Sequence, residues 1–187
     1  MRQDIENALA SFEVNTFGNK KYMERLIERL SDDEQVVYIA PTNVAITNNT
    51  TRKVQKMPGV FALTTKRILF RYQALADHAF YTCDLSEIKM VSCHGNGLTG
   101  GHIEIHTLMN TYDVLVKYKK QLINKIQLTF DQTIGAYKQS IRAETTNQNS
   151  AHTDVLGQVQ KLFELKEMGV ISEQEFITKK ADLLAKL

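Results

Sequence analysis

The sequence lacks the features that mark several large classes of proteins. It has no tryptophan, 2 prolines and 2 cysteines among 187 residues, and its formal net charge is only +2. Two cysteines are too few for the disulfide framework of a small secreted domain. No apolar run approaches the roughly 20 residues of a membrane-spanning helix, and the amino terminus has no basic stretch that leads into an apolar one. We therefore expect a cytoplasmic protein in which Cys83 and Cys93 are reduced thiols.

What is present indicates a folded chain of one or two domains. Hydrophobic residues make up 43% and charged residues 24% of the sequence, which argues against intrinsic disorder. The charge is uneven: residues 36–120 hold 10 Lys and Arg against 5 Asp and Glu, whereas residues 1–35 are acidic. This excess could attract an anionic partner, but it is smaller than in nucleic-acid-binding modules, so we expect no specific nucleic-acid binding.

The spacing of apolar residues divides the chain into successive parts. Residues 1–34 have helical spacing and predict two N-terminal helices. From Val36 the period changes to 2, and seven or eight short β-branched segments alternate with turn residues, which predicts a meandering antiparallel sheet, closed or strongly bent. A helical pattern from about Lys117 to Arg142 follows. The predicted fold class is α+β, with a bent antiparallel β-barrel and its C-terminal capping helix over residues 35–143.

The end of the chain predicts a linker and a small helical hairpin. Residues 144–153 have almost no large apolar side chain and predict a flexible linker. Within residues 154–187, Gly169 is placed to end one helix, and Ser172 with Glu175 matches a capping box at the start of the next. A hairpin this small seldom folds alone, so a second copy or a partner should cover its apolar side chains. The positions expected at that contact are Leu162, Phe163, Gly169, Phe176, Leu183 and Leu184.

Two parts of the sequence resemble known families. The segment LFELKEMGVISEQEFITKKADLL (162–184) resembles SHOCT, a short C-terminal domain of bacterial proteins to which oligomerisation or adaptor roles are attributed. The segments GVFALTTKRILF (59–70), DLSEIKMVS (84–92) and HIEIH (102–106) resemble the bacterial pleckstrin-homology-like (PH-like) domain of the YokE-like type. That resemblance implies a bent β-barrel capped by one helix. The two families occur together in bacterial and prophage proteins, and neither has an established catalytic activity.

Two motifs suggest chemistry that their surroundings do not support. Residues 95–100 spell GxGxxG, but a strand follows where a dinucleotide site needs a helix, so we interpret them as a hairpin loop. His102, Glu104 and His106 share one face of a strand and could ligate zinc. However, this alternation with isoleucine is also what a half-buried strand shows, and no CxxC or HExxH accompanies it. We therefore predict no enzyme activity, no metal and no cofactor.

Basic residues near two predicted turns form a candidate contact for anions: Arg52, Lys53, Lys56, Lys66, Arg67 and Arg71. Lys and Arg at such positions could bind the phosphates of anionic lipids, or they could form an ordinary solvated face. Two hypotheses of function remain open. In the first, the barrel binds a protein or peptide at a sheet edge or beside its capping helix, while the hairpin mediates homo-oligomerisation or docking. In the second, the basic turns attach the protein to an anionic membrane surface or another polyanion.

Overall fold

The computed structural model describes residues 2–73, 78–167, 170 and 172–184. It contains two compact units, Met1–Lys138 and Gln139–Leu187. The elements, in chain order, are α1 (Gln3–Ser11), α2 (Lys20–Ile27), β1 (Val36–Asn48), β2 (Val54–Thr64), β3 (Arg67–Gln73), β4 (His78–Asp84), a 3₁₀ turn (Leu85–Glu87), β5 (Met90–Asn96), β6 (Gly100–His106), β7 (Asn110–Val116), α3 (Lys120–Glu167) and α4 (Glu173–Leu184). The helix α3 contributes residues to both units.

The seven strands of the first unit form one antiparallel sheet in the order β4-β3-β2-β1-β7-β6-β5. This arrangement confirms the predicted α+β fold with a bent antiparallel sheet. The edge strands β4 and β5 do not pair with each other over the described residues, so the sheet is not closed into a barrel by hydrogen bonds. Two predicted segments, 36–40 and 43–47, are halves of the single strand β1, which continues through Pro41.

The first unit has a hydrophobic core on each side of its sheet. The inner core is lined by residues such as Phe61 and Leu63, and α3 contributes Phe130 to it. The outer core lies on the opposite face and includes Val60 and Ala62. The second half of β2, from Val60 to Leu63, is therefore buried on both faces, which explains why its sequence is a continuous apolar run instead of an alternating one.

The N-terminal helices supply the cover of the outer core. Ile5 of α1 and Met23 and Leu26 of α2 are fully buried there, against side chains of β1 to β3 that include Ile39 and Leu69. The sequence predicts these helices but leaves their role open. In the structure they belong to the same compact unit as the sheet and shield its outer face from water.

The helix α3 differs from the prediction at its carboxyl end. The sequence predicts a helix that ends near Arg142 and a flexible linker over 144–153, whereas the backbone of α3 is helical from Lys120 to Glu167. The linker segment contains neither Gly nor Pro, so nothing in it interrupts the helical hydrogen bonds. Its lack of large apolar residues removes a packing face, but it does not prevent helix formation. The domain boundary placed there stays a prediction.

Candidate functional site

The turn between β2 and β3 is held by an ion pair inside the fold. Arg67 donates from Nε to Glu34 Oε1 at 2.9 Å and from one terminal nitrogen to Glu34 Oε2 at 2.8 Å. The Thr64 hydroxyl lies 2.7 Å from the same carboxylate and accepts the Arg67 amide at 3.0 Å. Glu34 is only 1% exposed. Arg67 therefore ties the turn to the segment before β1 and is not available as a free anion contact.

The same contacts determine the ionisation of Glu34. Burial raises its pKa, but the hydrogen bonds from Arg67, Thr64 and Ser31 outweigh that effect and hold the pKa below its ordinary value. Glu34 is consequently a carboxylate at neutral pH. The sequence reveals the turn but not this partner, because Glu34 lies 33 positions before Arg67 and belongs to an acidic run that looks solvent-exposed.

Two other basic residues of the predicted anion contact are also engaged within the first unit. Lys66 forms an ion pair with Asp33. Arg71 is buried, with its guanidinium 5.7 Å from the centre of the Tyr22 ring and 5.5 Å from that of Phe80. Cations over aromatic faces are attracted to the ring electrons, so these contacts help to seat α2 on the sheet. Half of the six predicted anion contacts thus serve the fold itself.

The other three, Arg52, Lys53 and Lys56, are exposed at or near the β1–β2 turn. This turn is joined to the β6–β7 turn by Asn49, whose Nδ2 donates to the carbonyl oxygen of Thr107 at 3.0 Å. We call the two turns, residues 48–53 and 107–110, the tip. It also presents two large apolar side chains, Leu108 at 78% and Met109 at 58% exposure. From the sequence, LMNT (108–111) is interpreted only as a turn, so this apolar surface was missed.

The histidine cluster on β5 and β6 forms pairs. Nδ1 of His102 lies 2.8 Å from Asp113 Oδ1. The ring of His94 stacks on the ring of His102, with the two ring centroids 5.7 Å apart. His106 instead approaches Glu104, with Nε2 3.3 Å from Oε1. Among the residues that the structure describes, no three metal-ligating side chains converge. These contacts stabilise the solvent-facing side of the sheet.

The glycine motif forms the hairpin between β5 and β6. Gly95 and Gly100 have φ of 148° and 90°, and a Cβ on Gly95 would lie 2.3 Å from the carbonyl oxygen of Gly100. Only glycine accommodates this geometry. The thiols of Cys83 on β4 and Cys93 on β5 are poor nucleophiles, because burial raises the pKa of both to about 12.

A cleft opens where β1 and β7 separate. β1 pairs with β2 along its length, but its ladder with β7 covers only Val44 to Asn48 and ends at the pair Val44 and Val114. Beyond that pair a space of about 460 Å³ is lined by residues 12–15, 40–43 and 115–117 and by Tyr38 and Leu122. We call it the β1–β7 cleft. Its lining combines strand backbone with apolar side chains, a combination that is typical of binding sites.

The β5 edge is occupied where it faces α3. The Gln127 side chain accepts from the Cys93 amide at 2.7 Å and donates to the Val91 carbonyl at 3.3 Å. A peptide that added a strand at this position would have to displace both hydrogen bonds. The space beside the capping helix, which the sequence offers as one place for a peptide, is therefore less accessible than the β1–β7 cleft.

The second unit contains the helical hairpin. Ser172 and Glu175 form the predicted capping box: the Ser172 amide donates to Glu175 Oε2 at 2.8 Å, and the Glu175 amide donates to the Ser172 hydroxyl at 3.3 Å. The Phe176 ring is buried edge-on against Phe163 of α3, with centroids 6.2 Å apart. Lys166 and Lys180 lie over the Phe176 ring at 5.4 and 5.7 Å. One aromatic pair thus forms the centre of the hairpin.

Much apolar surface of this unit remains outside that centre. Phe163 is 50%, Val170 65% and Ile177 58% exposed. A groove of about 390 Å³ runs along the hairpin and is lined by Gln158, Lys161, Leu162, Leu165, Lys179 and Asp182. Of the predicted contact residues, Gly169 and the side chains of Leu183 and Leu184 lie outside the part that the structure describes.

Comparisons with known proteins agree with this division of the chain. The family model of the bacterial PH domain matches residues 30–132, and that of the short C-terminal domain matches residues 158–184. No curated protein matches the sequence.

Solved structures similar to this chain include the N-terminal PH domain of Vps36, with 14% identity over 57% of this chain and 83% of that one and a TM-score of 0.42. A DUF1696 family protein with a pleckstrin-homology domain from Shewanella loihica has 13% identity over 61% and 91% of the two chains and a TM-score of 0.41. Within the described residues, no helix is both long and apolar enough to cross a membrane.

Proposed function

Because the chain belongs to the bacterial PH domain family, we propose that it is a non-catalytic interaction protein of the cytoplasm. In this proposal the first unit binds a protein or peptide partner, and the C-terminal hairpin brings two or more copies of the chain together. The two family matches confirm both resemblances noted in the sequence. Neither family is an enzyme family, and the high pKa values of both thiols give no support to a cysteine nucleophile.

The observation that carries the proposal is the exposed apolar surface of the second unit. Phe163, Val170 and Ile177 are all at least half exposed, and in the described part of the hairpin Phe176 is the one buried aromatic residue. Units of this size gain stability when such side chains are covered by an equivalent surface. The groove adds Leu162 and Leu165 between charged residues, and an apolar centre with a polar rim is the usual composition of a protein interface.

A second copy of the chain is the simplest occupant of this surface. Closed symmetric dimers need only one self-complementary patch, and they are the commonest form of homo-oligomer. The groove is lined by Lys161 and Lys179 as well as by Asp182. Because both signs of charge are present on one hairpin, two hairpins in opposite orientation can place lysine against aspartate.

The test is the mass of the full chain in solution, measured by light scattering after size-exclusion chromatography. We expect an oligomer whose mass falls to that of the monomer in the double variant Phe163→Ser and Ile177→Ser. The matched control replaces two exposed polar residues of α4, Gln174→Ser and Thr178→Ser, and should keep the oligomer. A monomeric wild-type chain, or a double variant with unchanged mass, would overturn self-association as the role of the hairpin.

The tip supports a second candidate function, peripheral attachment to an anionic membrane. Leu108 and Met109 project into solvent beside the cations Arg52 and Lys53. Exposed apolar side chains next to basic ones favour the interface of a bilayer, where both find suitable surroundings. Of the six basic residues proposed from the sequence as anion contacts, Arg52, Lys53 and Lys56 at this end of the sheet remain candidates. The other three, Lys66, Arg67 and Arg71, are engaged in contacts within the fold.

Co-sedimentation with vesicles separates this candidate from the first. Vesicles of phosphatidylglycerol and phosphatidylcholine should bind the wild-type chain at low salt, while vesicles of phosphatidylcholine alone should not. The double variant Leu108→Ser and Met109→Ser should lose binding, and Arg52→Gln with Lys53→Gln should do the same. Binding that both double variants retain would exclude the tip as a membrane contact.

A further inference from the structure

We propose that the β1–β7 cleft binds a short, extended, acidic segment of a partner protein. This inference rests on the proposed role of the first unit as a binding module, and it adds the place and the chemistry of the partner. The cleft lies within the first unit and is formed by two strands that begin as neighbours and then separate.

Part of the β1 backbone at the cleft lies beyond the ladder with β7. The Asn48 amide donates to Lys53 on the β2 side, and the Asn49 amide donates to Met109 on the β7 side. Because successive residues of a strand direct their N–H and C=O groups to alternate sides, Pro41 and Asn43 direct theirs towards β7. Within the described chain, the ladder between β1 and β7 contains no residue pair beyond Val44 and Val114.

Pro41 is compatible with this open side because its missing N–H would have pointed into the cleft. What remains on the edge is the Pro41 carbonyl and the Asn43 amide, because the Asn43 carbonyl accepts from the Thr42 hydroxyl at 3.1 Å. On the opposite wall, the Leu115 carbonyl accepts from the Thr42 hydroxyl, which bridges the strands where they part. An extended peptide supplies N–H and C=O groups at the strand spacing of about 3.3 Å, so it can pair with the Pro41 carbonyl and the Asn43 amide of the β1 edge.

The side chains around the edge define the rest of the occupant. Phe12, Tyr38 and Leu122 form apolar parts of the lining. The volume of about 460 Å³ is within the range of roughly 300–1,000 Å³ that is usual for ligand sites, and it is small enough to admit only a few residues. A bound segment would therefore place at least one apolar side chain against these rings.

The charges at the mouth favour an acidic segment. Lys117 lines the cleft and has no ion-pair partner among the described residues, whereas Lys119 pairs with Glu13. The hydrogen bond from Lys119 lowers the pKa of Glu13, which stays ionised and is neutralised by that lysine. A third cation, Lys125, donates to the Ser11 carbonyl at 2.7 Å above the Phe12 ring. Lys117, Lys119 and Lys125 together outnumber the single carboxylate of Glu13, so the mouth carries a net positive charge. This charge attracts a carboxylate on the partner.

The probe is a pair of fluorescein-labelled hexapeptide pools, both with leucine at the third position. One pool has Asp or Glu at the fifth position, and the other has Lys there. Fluorescence polarisation with the full chain should show that the acidic pool binds and the lysine pool does not. Equal binding of both pools, or binding of neither, would overturn the proposal.

Variants at the edge locate the binding. Asn43→Pro removes the one amide that the β1 edge offers, while the control Asn43→Ala keeps it. Lys117→Glu reverses the charge at the mouth, and the control Lys120→Glu changes a neighbouring exposed lysine that does not line the cleft. Asn43→Pro and Lys117→Glu should weaken binding of the acidic pool at least about fivefold, as expected for one backbone hydrogen bond or ion pair. Variants that bind as well as their controls would contradict the assignment.

Two further measurements keep the outcome decisive. If Asn43→Pro fails to fold, the amide resonances of Asn43 and Leu115 in the wild-type chain are followed during titration with the acidic pool. Shifts confined to other parts of the sheet would overturn the proposal. The monomerising variant Phe163→Ser with Ile177→Ser should bind the peptides unchanged, so a failure of the hairpin's role is distinguishable from a failure of the cleft.

Discussion

In the first unit β2 is covered on both faces, whereas in the second unit the described part of the hairpin buries Phe176 and leaves Phe163 half exposed. The first unit therefore has the cores expected of a domain that folds by itself. In the described part of the second unit the capping box of α4 is formed, but Phe176 is the only hydrophobic side chain that is buried. Good local structure and a sufficient core are therefore separate requirements, and units as small as the hairpin seldom meet the second one alone.

The largest effect is expected from Phe130→Ala in the first unit. Phe130 is fully buried, and its ring lies 6.4 Å from that of Phe61. Its loss should lower the free energy of unfolding by about 3–5 kcal/mol, through lost burial and a residual cavity. Denaturant unfolding followed by circular dichroism measures this change. Gln132→Ala, on the exposed side of the same helix, is the control and should change little.

Glu34→Gln should have the next largest effect, about 2 kcal/mol, because Arg67 loses a charged hydrogen-bond partner. The effect should depend on pH. Since the folded-state pKa of Glu34 lies below its ordinary value of 4.5, the carboxylate stabilises the fold above that value. This contribution is lost as pH falls through the folded-state pKa. The variant's stability should therefore vary less between neutral and acidic pH than that of the wild type, and parallel pH profiles would disprove the assignment.

Phe176→Ala makes the comparison between the units direct, because it is the same substitution in the hairpin. It should disturb the hairpin and reduce the mass of the oligomer. The main unfolding transition, which belongs to the first unit, should change by less than about 0.5 kcal/mol, since independent sites act additively. A loss as large as that of Phe130→Ala would show that the hairpin is part of the main cooperative unit.

Removal of the second unit should have the smallest effect on the first. A chain that ends at Lys138 retains every residue of the two cores, including Phe130. It should unfold cooperatively, with a midpoint close to that of the full chain in calorimetry. An unfolded or aggregated product would show that the first unit depends on residues beyond Lys138, which would contradict the proposed independence.

Local patterns made much of the fold predictable. The two-residue period and the turn residues predict the strands, and the capping box of Ser172 and Glu175 predicts the start of α4. The glycines at 95 and 100 predict a hairpin because glycine readily adopts a positive φ, and both residues have one in the structure. The extent of α3 was not predicted, since polar composition does not distinguish a solvated helix from a linker.

The candidate sites were predictable only in part. The exposed apolar surface of the hairpin is predictable from the number of its apolar residues. Whether a given basic residue is exposed or paired within the fold is not predictable from the number of basic residues. Arg67 and Arg52 both lie at turns, yet one is bound to a buried carboxylate and the other is exposed. The β1–β7 cleft has no signature in the sequence except Pro41, because the separation of two strands depends on elements distant along the chain.

The α+β class, the order of helices and strands and the presence of a C-terminal hairpin follow from the sequence, because they depend on periodicity and on residues close together in the chain. Tertiary contacts set which charges are available for binding, where Gln127 occupies the β5 edge and where β1 and β7 separate at the cleft. These features join residues tens of positions apart. Their energies come from burial and pairing in three dimensions, which no local pattern encodes.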